Sequence, residues 1–230
     1  MTLADIRAQF EADLTWRHDE IRHLRNQLFA VADSPTQNSL RKALVVLLYA
    51  HFEGFCGTCL GIYAQVINQS KLQRRNVHDC IAAGSLARLL NALCNSTAKA
   101  KEFKRKLPED TGLHRFARHA EFAGALVDVL EEPVMLEVDE IIDLESNVSP
   151  IVLRKNLYRL GFDPGAFSAH DGALTQLLTA RNQIAHGRRE DSIDMAVLER
   201  LDRAVNAIET GLIALLIDAI ANKRYSRDAA

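Results

Sequence analysis

The sequence predicts an all-α fold, an antiparallel bundle of four core helices carrying a helical insertion. Three observations lead there. Apolar residues recur at three- and four-residue spacing through long segments, alternation of the kind strands show is scarce, and breaker clusters separate the periodic runs instead of interrupting them. Leu3, Ile6, Phe10, Leu14, Ile21, Leu24 and Leu28 mark a first amphipathic helix, ended by a loop at Asp33-Ser34-Pro35. The most apolar helix is expected from about Ser39 to Asn68, in a central place. Shorter helices are expected at about 77 to 94 and 114 to 131, with the breaker-rich stretch Leu107 to Gly112 between them. Leu174, Leu177, Leu178, Arg181 and Ala185 then form one helix face, with Asp171 as N-cap and Gly187 just past the end. A last helix runs from Ser192 to about Lys223, capped by Asp191 and striped by Leu198, Leu201, Val205, Ile208, Leu212, Leu215 and Ala219. The first, second, penultimate and last of these make the bundle.

The chain has 230 residues, 48% hydrophobic and 25% charged, enough to bury a core as one domain over 1–230, with about 70–140 as the inserted helical part. No internal repeat or low-complexity tract divides it. A net charge of -2 provides no global attraction to nucleic acid, so any such affinity must be local. The local candidates are Lys71 with Arg74 and Arg75, the run Lys99, Lys101, Lys104, Arg105 and Lys106, and the pair Arg188-Arg189. The first two read as solvated faces, while the third, beside the motif described below, is better placed to bind nucleic acid. From Asp128 to Glu145 the chain carries Glu131, Glu132, Glu137, Asp139, Glu140 and Asp143 with no Lys or Arg; docking on a basic surface and shielding of the site are open to such a stretch, and a solubilising acidic connector is the preferred reading.

Neither metal nor cofactor is expected. The acidic stretch lacks the Asp-x-Asp loop and turn glycine of calcium loops, and Cys56 and Cys59 lie inside an apolar helical run too far from Cys80 and Cys94 for a zinc ribbon. Thiols packing as small buried hydrophobes are the simpler reading. Asp5, Arg7 and Glu11 interrupt any signal peptide, and no apolar run approaches the roughly 20 residues that cross a bilayer. A cytoplasmic protein with reduced cysteines and no membrane association is expected.

The segment Arg181-Asn182-Gln183-Ile184-Ala185-His186-Gly187 holds the chemistry. Arginine keeps its charge at any workable pH and grips phosphate oxygens with a planar fork, while histidine moves protons near neutrality. Together they suit phosphodiester chemistry. Five residues along a helix is a rotation of about 140° and a rise of about 7.5 Å, so the two side chains do not share a face, and two subunits bringing their motif helices together would converge them on one cleft. Such a spacing arises by chance on the order of once or twice in a chain of this composition. Arg17 and His23 are a second instance, placed among Asp19, Glu20 and Arg22 on what reads as a solvated helix.

Arg181-Asn182 followed by Ile184-Ala185-His186-Gly187 resembles the Arg-Asn-x-x-Ala-His-Gly signature of the HEPN superfamily, helical proteins of which many are metal-independent ribonucleases. Leu48-Tyr49-Ala50-His51-Phe52-Glu53-Gly54-Phe55 is similar to the aromatic-Glu-Gly-Phe helix of bacterial members found in defence and toxin–antitoxin neighbourhoods. Glu145-Ser146-Asn147-Val148, with Leu153 and Leu160-Gly161-Phe162-Asp163, resembles the linker before the motif helix. The likeness spans roughly residues 40 to 215. It implies a homodimer in which Arg181 and His186 cut RNA, usually by attack of the 2′-hydroxyl on the adjacent phosphate, with Asn182 matching the polar residue after the Arg and Glu53 a supporting helix glutamate. The implied partners are RNA, a second copy, and an antitoxin or another defence-system protein. The alternative is a catalytically silent module of the same kind that binds RNA, a nucleotide or a protein, and a purely structural helical adaptor is the third reading.

Overall fold

The computed structural model describes residues 1–95, 111–187 and 192–229, and among these it is helical with no strand. Helix α1 (Leu3–Ala30) starts where the Thr2 hydroxyl accepts from the Asp5 amide and the Asp5 carboxylate accepts from the Thr2 amide, a reciprocal cap satisfying two orphan donors. The expected loop at 33–35 is instead the start of α2 (Ser34–Ser70). Asp33 accepts from the Thr36 amide, and Pro35 sits in the first turn, where its missing N–H would have had no helical partner. The central helix thus gains a full turn over its expected start at Ser39. Lys71, at φ 53°, ends it.

Next come α3 (Asp79–Ser85) and α4 (Ala87–Cys94), which divide the single helix expected at 77 to 94 at Leu86, followed by α5 (Thr111–Glu131). Two short helices, α6 (Val138–Ile141) and α7 (Pro150–Arg159), were not foreseen. The motif helix α8 (Asp171–Ala185) and the last helix α9 (Met195–Ala221) close the chain. Asp194, not Asp191, caps α9, accepting from the Ala196 amide. Asp191 lies outside the described residues, as do Arg188-Arg189 and the basic run from Lys99 to Lys106.

Helices α1, α2, α8 and α9 pack on one another with α2 at the centre, so the four expected core helices are the four observed. Phe10, Val45, Phe52, Phe55, Leu60 and Leu212 are fully buried among them. The segments between α2 and α8 contribute to the same core through Val77, Ile81, Val134, Leu136 and Val148. The C-terminal tail returns to this side, where the Tyr225 carbonyl accepts from the His78 amide and Arg227 pairs with Asp79. Both α2 and α9 do reach the length and apolarity of a bilayer-crossing helix, contrary to expectation; about half of each apolar window is packed inside the protein. Cys56 and Cys59 are buried as expected, with burial pushing both thiols up, whereas Cys80 is half-buried and Cys94 exposed.

The acidic stretch is not a free connector. Glu132 pairs with Arg74 at 2.6 Å, Glu131 with Arg75 at 3.3 Å, and Glu140 with Arg88 at 3.0 Å. It docks on the basic side chains of the preceding segments. Arg74 is held further by the Val129 carbonyl and the Ser85 hydroxyl, so the two arginines of the Lys71-Arg74-Arg75 patch are paired within the fold, while Lys71 is exposed.

One polar pair crosses the bundle interior. Glu209 of α9 is 2% exposed, and its Oε2 lies 2.8 Å from Nε2 of His18 on α1. Burial raises the Glu209 carboxyl above its ordinary range, and the bond to Glu209 raises His18 above its ordinary 6.5. A folded chain that holds a proton more tightly than the unfolded one is stabilised below the unfolded pKa and loses that stabilisation as pH rises through the folded pKa. Both groups act in this sense, Glu209 from its ordinary 4.5 upward and His18 from 6.5 upward. His51, lowered by its burial, acts oppositely, its contribution being lost as pH falls. Urea midpoints of the wild type should therefore decline as pH rises above 6.5, and His18→Gln should flatten that decline. An unchanged slope in the variant would remove His18 as its source.

Candidate active site

The motif helix is positioned by its apolar side. Leu174 and Leu177 are buried, and Leu178 and Ile184 pack on the core at partial exposure. The stripe expected to continue to Ala185 does not, because Ala185 is exposed. Asp171 is not the N-cap either. His170 holds that position without a side-chain capping bond, and the Asp171 carboxylate pairs with Arg154 of α7, tying the two helices together. At the other end the expectation holds. The His186 amide donates to the Asn182 carbonyl and the Gly187 amide to the Ile184 carbonyl, each at 3.0 Å, and Gly187 takes φ +70°, a left-handed conformation in which a Cβ is costly. His186 is the C-cap residue, and its ring is exposed.

Arg181 is half-buried and turned toward α2. Its Nη1 donates to Asn182 Oδ1 at 2.8 Å and to Asn147 Oδ1 at 3.4 Å, and its Cζ lies 5.0 Å from the centre of the Tyr49 ring. Among the described residues no carboxylate is within ion-pair distance of it. Arg17, Arg25, Arg74 and Arg154 each face a carboxylate. Arg181 thus keeps a net positive charge in a partly desolvated setting, where an incoming phosphate meets an unspent cation.

Tyr49 is 1% exposed, and its hydroxyl lies 3.5 Å from Glu53 Oε1. Burial first, and the Glu53 charge second, push the phenol up to about 12, so Tyr49 stays neutral beneath the guanidinium. Glu53 consequently reaches Arg181 only through Tyr49. It is a neighbour of the site, one contact removed from the cation. Asn182 has two roles in this arrangement: it holds Arg181, and with Thr179, Gln183 and His186 it lines an open recess of about 320 Å³. Arg181 and His186 point to different sides of the helix end, as their spacing requires, and Asn182 lies between them.

The second Arg/His pair resolves differently from expectation. Arg17 is 8% exposed, not solvated; Asp13 accepts from its Nε at 2.8 Å and from its Nη2 at 3.2 Å, and it lies over Trp16. His23 is exposed. An arginine spent on a carboxylate inside the α1–α2 contact is structural. It also explains a glycine: a Cβ on Gly54 would sit 2.6 Å from Arg17 Nη1, so only glycine lets the guanidinium lie against α2. The segment from Leu48 to Phe55 therefore serves three surfaces. Tyr49 and Glu53 lie toward Arg181, His51 and Gly54 toward α1, and Phe52 and Phe55 in the core.

Two site residues carried no assigned role in the sequence reading, Tyr49 and Asn147. The available signal for Tyr49 was its place four residues before Glu53, hence on the same helix face. Asn147 stands in the Glu145–Val148 stretch that resembles the family's linker, but that stretch carries no sign of a contact with Arg181, which depends on how α7 packs. Among the described residues no group of three or more His, Cys, Asp or Glu side chains is placed to hold a metal ion.

Comparison with curated proteins and with solved structures returns no match. The family model described as MAE_28990-like HEPN matches residues 6–225, which takes in all but the first three residues of the bundle and both sides of the site. On that match over nearly its full length, the chain belongs to the HEPN_MAE_28990-like family of HEPN proteins.

Proposed function

We propose that this HEPN protein is a metal-independent endoribonuclease, acting on RNA in the cytoplasm as part of bacterial defence or as the toxin of a toxin–antitoxin pair. The observation that carries the reading is the Arg181 guanidinium, held by two neutral amide oxygens and an aromatic ring, with no carboxylate among the described residues paired to it. A fixed cation presented this way stabilises charge that builds on a phosphate oxygen in the transition state. The substrate's own 2′-hydroxyl attacks phosphorus, a new P–O2′ bond forms as the P–O5′ bond breaks, and the 2′ proton is released while the 5′ oxygen gains one. His186 is the general acid for that 5′ oxygen. The products are a 2′,3′-cyclic phosphate and a 5′-hydroxyl, and the balance needs no water, oxidant or metal.

A dimer completes the geometry. Within one chain Arg181 turns to α2 and His186 to an open recess, so a second copy related by a two-fold axis along the motif helices would bring one protomer's His186 toward the other's Arg181. Arg188 and Arg189, next along the chain, would add RNA-backbone charge. Induced expression should arrest growth and leave cellular RNA cleaved, while His186→Ala should do neither. Equal toxicity of the two, or arrest with intact RNA, would set the reading aside.

A further inference from the structure

Arg181 is the centre of the proposed chemistry, yet its guanidinium hangs at the end of a flexible side chain on a helix edge. Something must fix it. Two contacts from outside the motif helix do so, and both come from segments that are themselves over-determined.

The first is Asn147, in the loop between α6 and α7. The two residues before it, Glu145 and Ser146, adopt φ 51° and 53°, left-handed conformations that strain a non-glycine residue. Such a pair persists only where surrounding contacts enforce it. Here Asp143 Oδ1 accepts from the Glu145 amide, Lys155 pairs with the Glu145 carboxylate at 2.7 Å, and the fully buried Asn156 holds both the amide and the carbonyl of Asp143. The Asn147 amide donates back to the Leu144 carbonyl. What this enforced turn presents is the Asn147 amide oxygen, aimed at Arg181 Nη1. The second contact is Tyr49, whose ring face underlies the guanidinium and whose hydroxyl is drawn away toward Glu53.

We propose that Asn147 and Tyr49 are positioning residues that hold the Arg181 guanidinium in place while leaving its charge uncompensated. The choice of side chains follows from that double task. A carboxylate at 147 would hold Arg181 more strongly but would neutralise it, and a phosphate would then have to displace a charge-assisted bond. An amide oxygen and a neutral phenol ring fix the direction of the cation and leave it available. The inference deepens the ribonuclease reading above and rests on it for the kinetic arm of its test, but not for the structural arm.

The kinetic arm measures kcat and KM for single-stranded RNA in EDTA. Asn147→Ala should lower kcat by about ten- to hundredfold, the scale for misplacing a reacting group by about an ångström, with a smaller change in KM. Asn147→Asp restores the acceptor; a residue that only holds the loop together would be rescued by it, whereas the proposal predicts a loss at least as large as that of alanine. Tyr49→Leu, which removes the ring face, should also lower kcat with a smaller change in KM, and Tyr49→Phe, which keeps the ring, should lose less than that variant does. The structural arm follows the Arg181 Nε–H resonance by NMR, assigned through its absence in Arg181→Ala. It should be ordered in the wild type and become mobile in Asn147→Ala. Wild-type kcat in Asn147→Ala, full rescue by Asn147→Asp, or an Arg181 signal indifferent to Asn147→Ala would overturn the proposal. An Arg181 signal that loses order in Asn147→Ala, in a protein that cuts no RNA, would support the clamp and overturn the ribonuclease reading.

Discussion

Arg181→Ala is expected to lower RNA cleavage by about a thousandfold, the upper scale for deleting a preorganised donor to developing charge, while fold and oligomeric state stay those of the wild type. The two halves follow from one geometry. Arg181 is half-buried, bonded to side-chain oxygens of Asn147 and Asn182 and stacked on Tyr49, so its removal breaks no ion pair with any described residue and opens no fully enclosed space. Asn147 and Asn182 are themselves only half-buried, so water can satisfy them. Thermal melts and size-exclusion profiles should match wild type. A variant that unfolds or changes its assembly would show that Arg181 is a packing residue, as Arg17 is.

His186→Gln should cost a comparable amount, about a hundred- to ten-thousandfold, for a group that transfers a proton in the rate-determining step. The ring is exposed, caps the helix only through its backbone, and has no hydrogen-bond partner among the described residues. Glutamine at this place keeps a polar side chain and changes no buried contact. The loss would then report on chemistry. His23→Gln is the matched control, an exposed histidine on α1 with the same kind of spacing from an arginine, and it should cleave as the wild type does. Wild-type rates in His186→Gln, or a loss in His23→Gln, would move the proton-transfer role elsewhere.

Much of this was legible in the chain because helical periodicity is a local signal. The apolar stripes of α1, α2, α8 and α9 place the four core helices, and Gly187 marks the end of α8 through a backbone preference that any sequence window displays. Errors came where the decisive contact was non-local. Arg17 reads as solvated beside Asp19, Glu20 and Arg22, and nothing near it announces that Gly54, far along the chain, leaves room for its guanidinium. The acidic stretch reads as a free connector because its partners Arg74, Arg75 and Arg88 lie some 50 or more residues earlier. Short helices were missed for a different reason: α7 carries a proper start signal, Ser149 accepting from the Val152 amide with Pro150 in its first turn, but ten residues offer too few turns for a stripe to stand out. At the site the residues were found and their arrangement was not. Arg181, Asn182, His186 and Glu53 were named from the sequence, whereas the neutral cradle of Asn147 and Tyr49 exists only once α2, α7 and α8 are packed.

Metal-free cleavage by the Arg181 and His186 pair is read from the ends it leaves on the RNA. Purified protein is incubated in excess EDTA with single-stranded RNA and with the same RNA carrying a 2′-deoxy nucleotide at the cleaved position. The account predicts fragments ending in 2′,3′-cyclic phosphate and 5′-hydroxyl from the first, and no cut at that position in the second. Cleavage that requires an added divalent metal, or that leaves 3′-hydroxyl and 5′-phosphate ends, would contradict it.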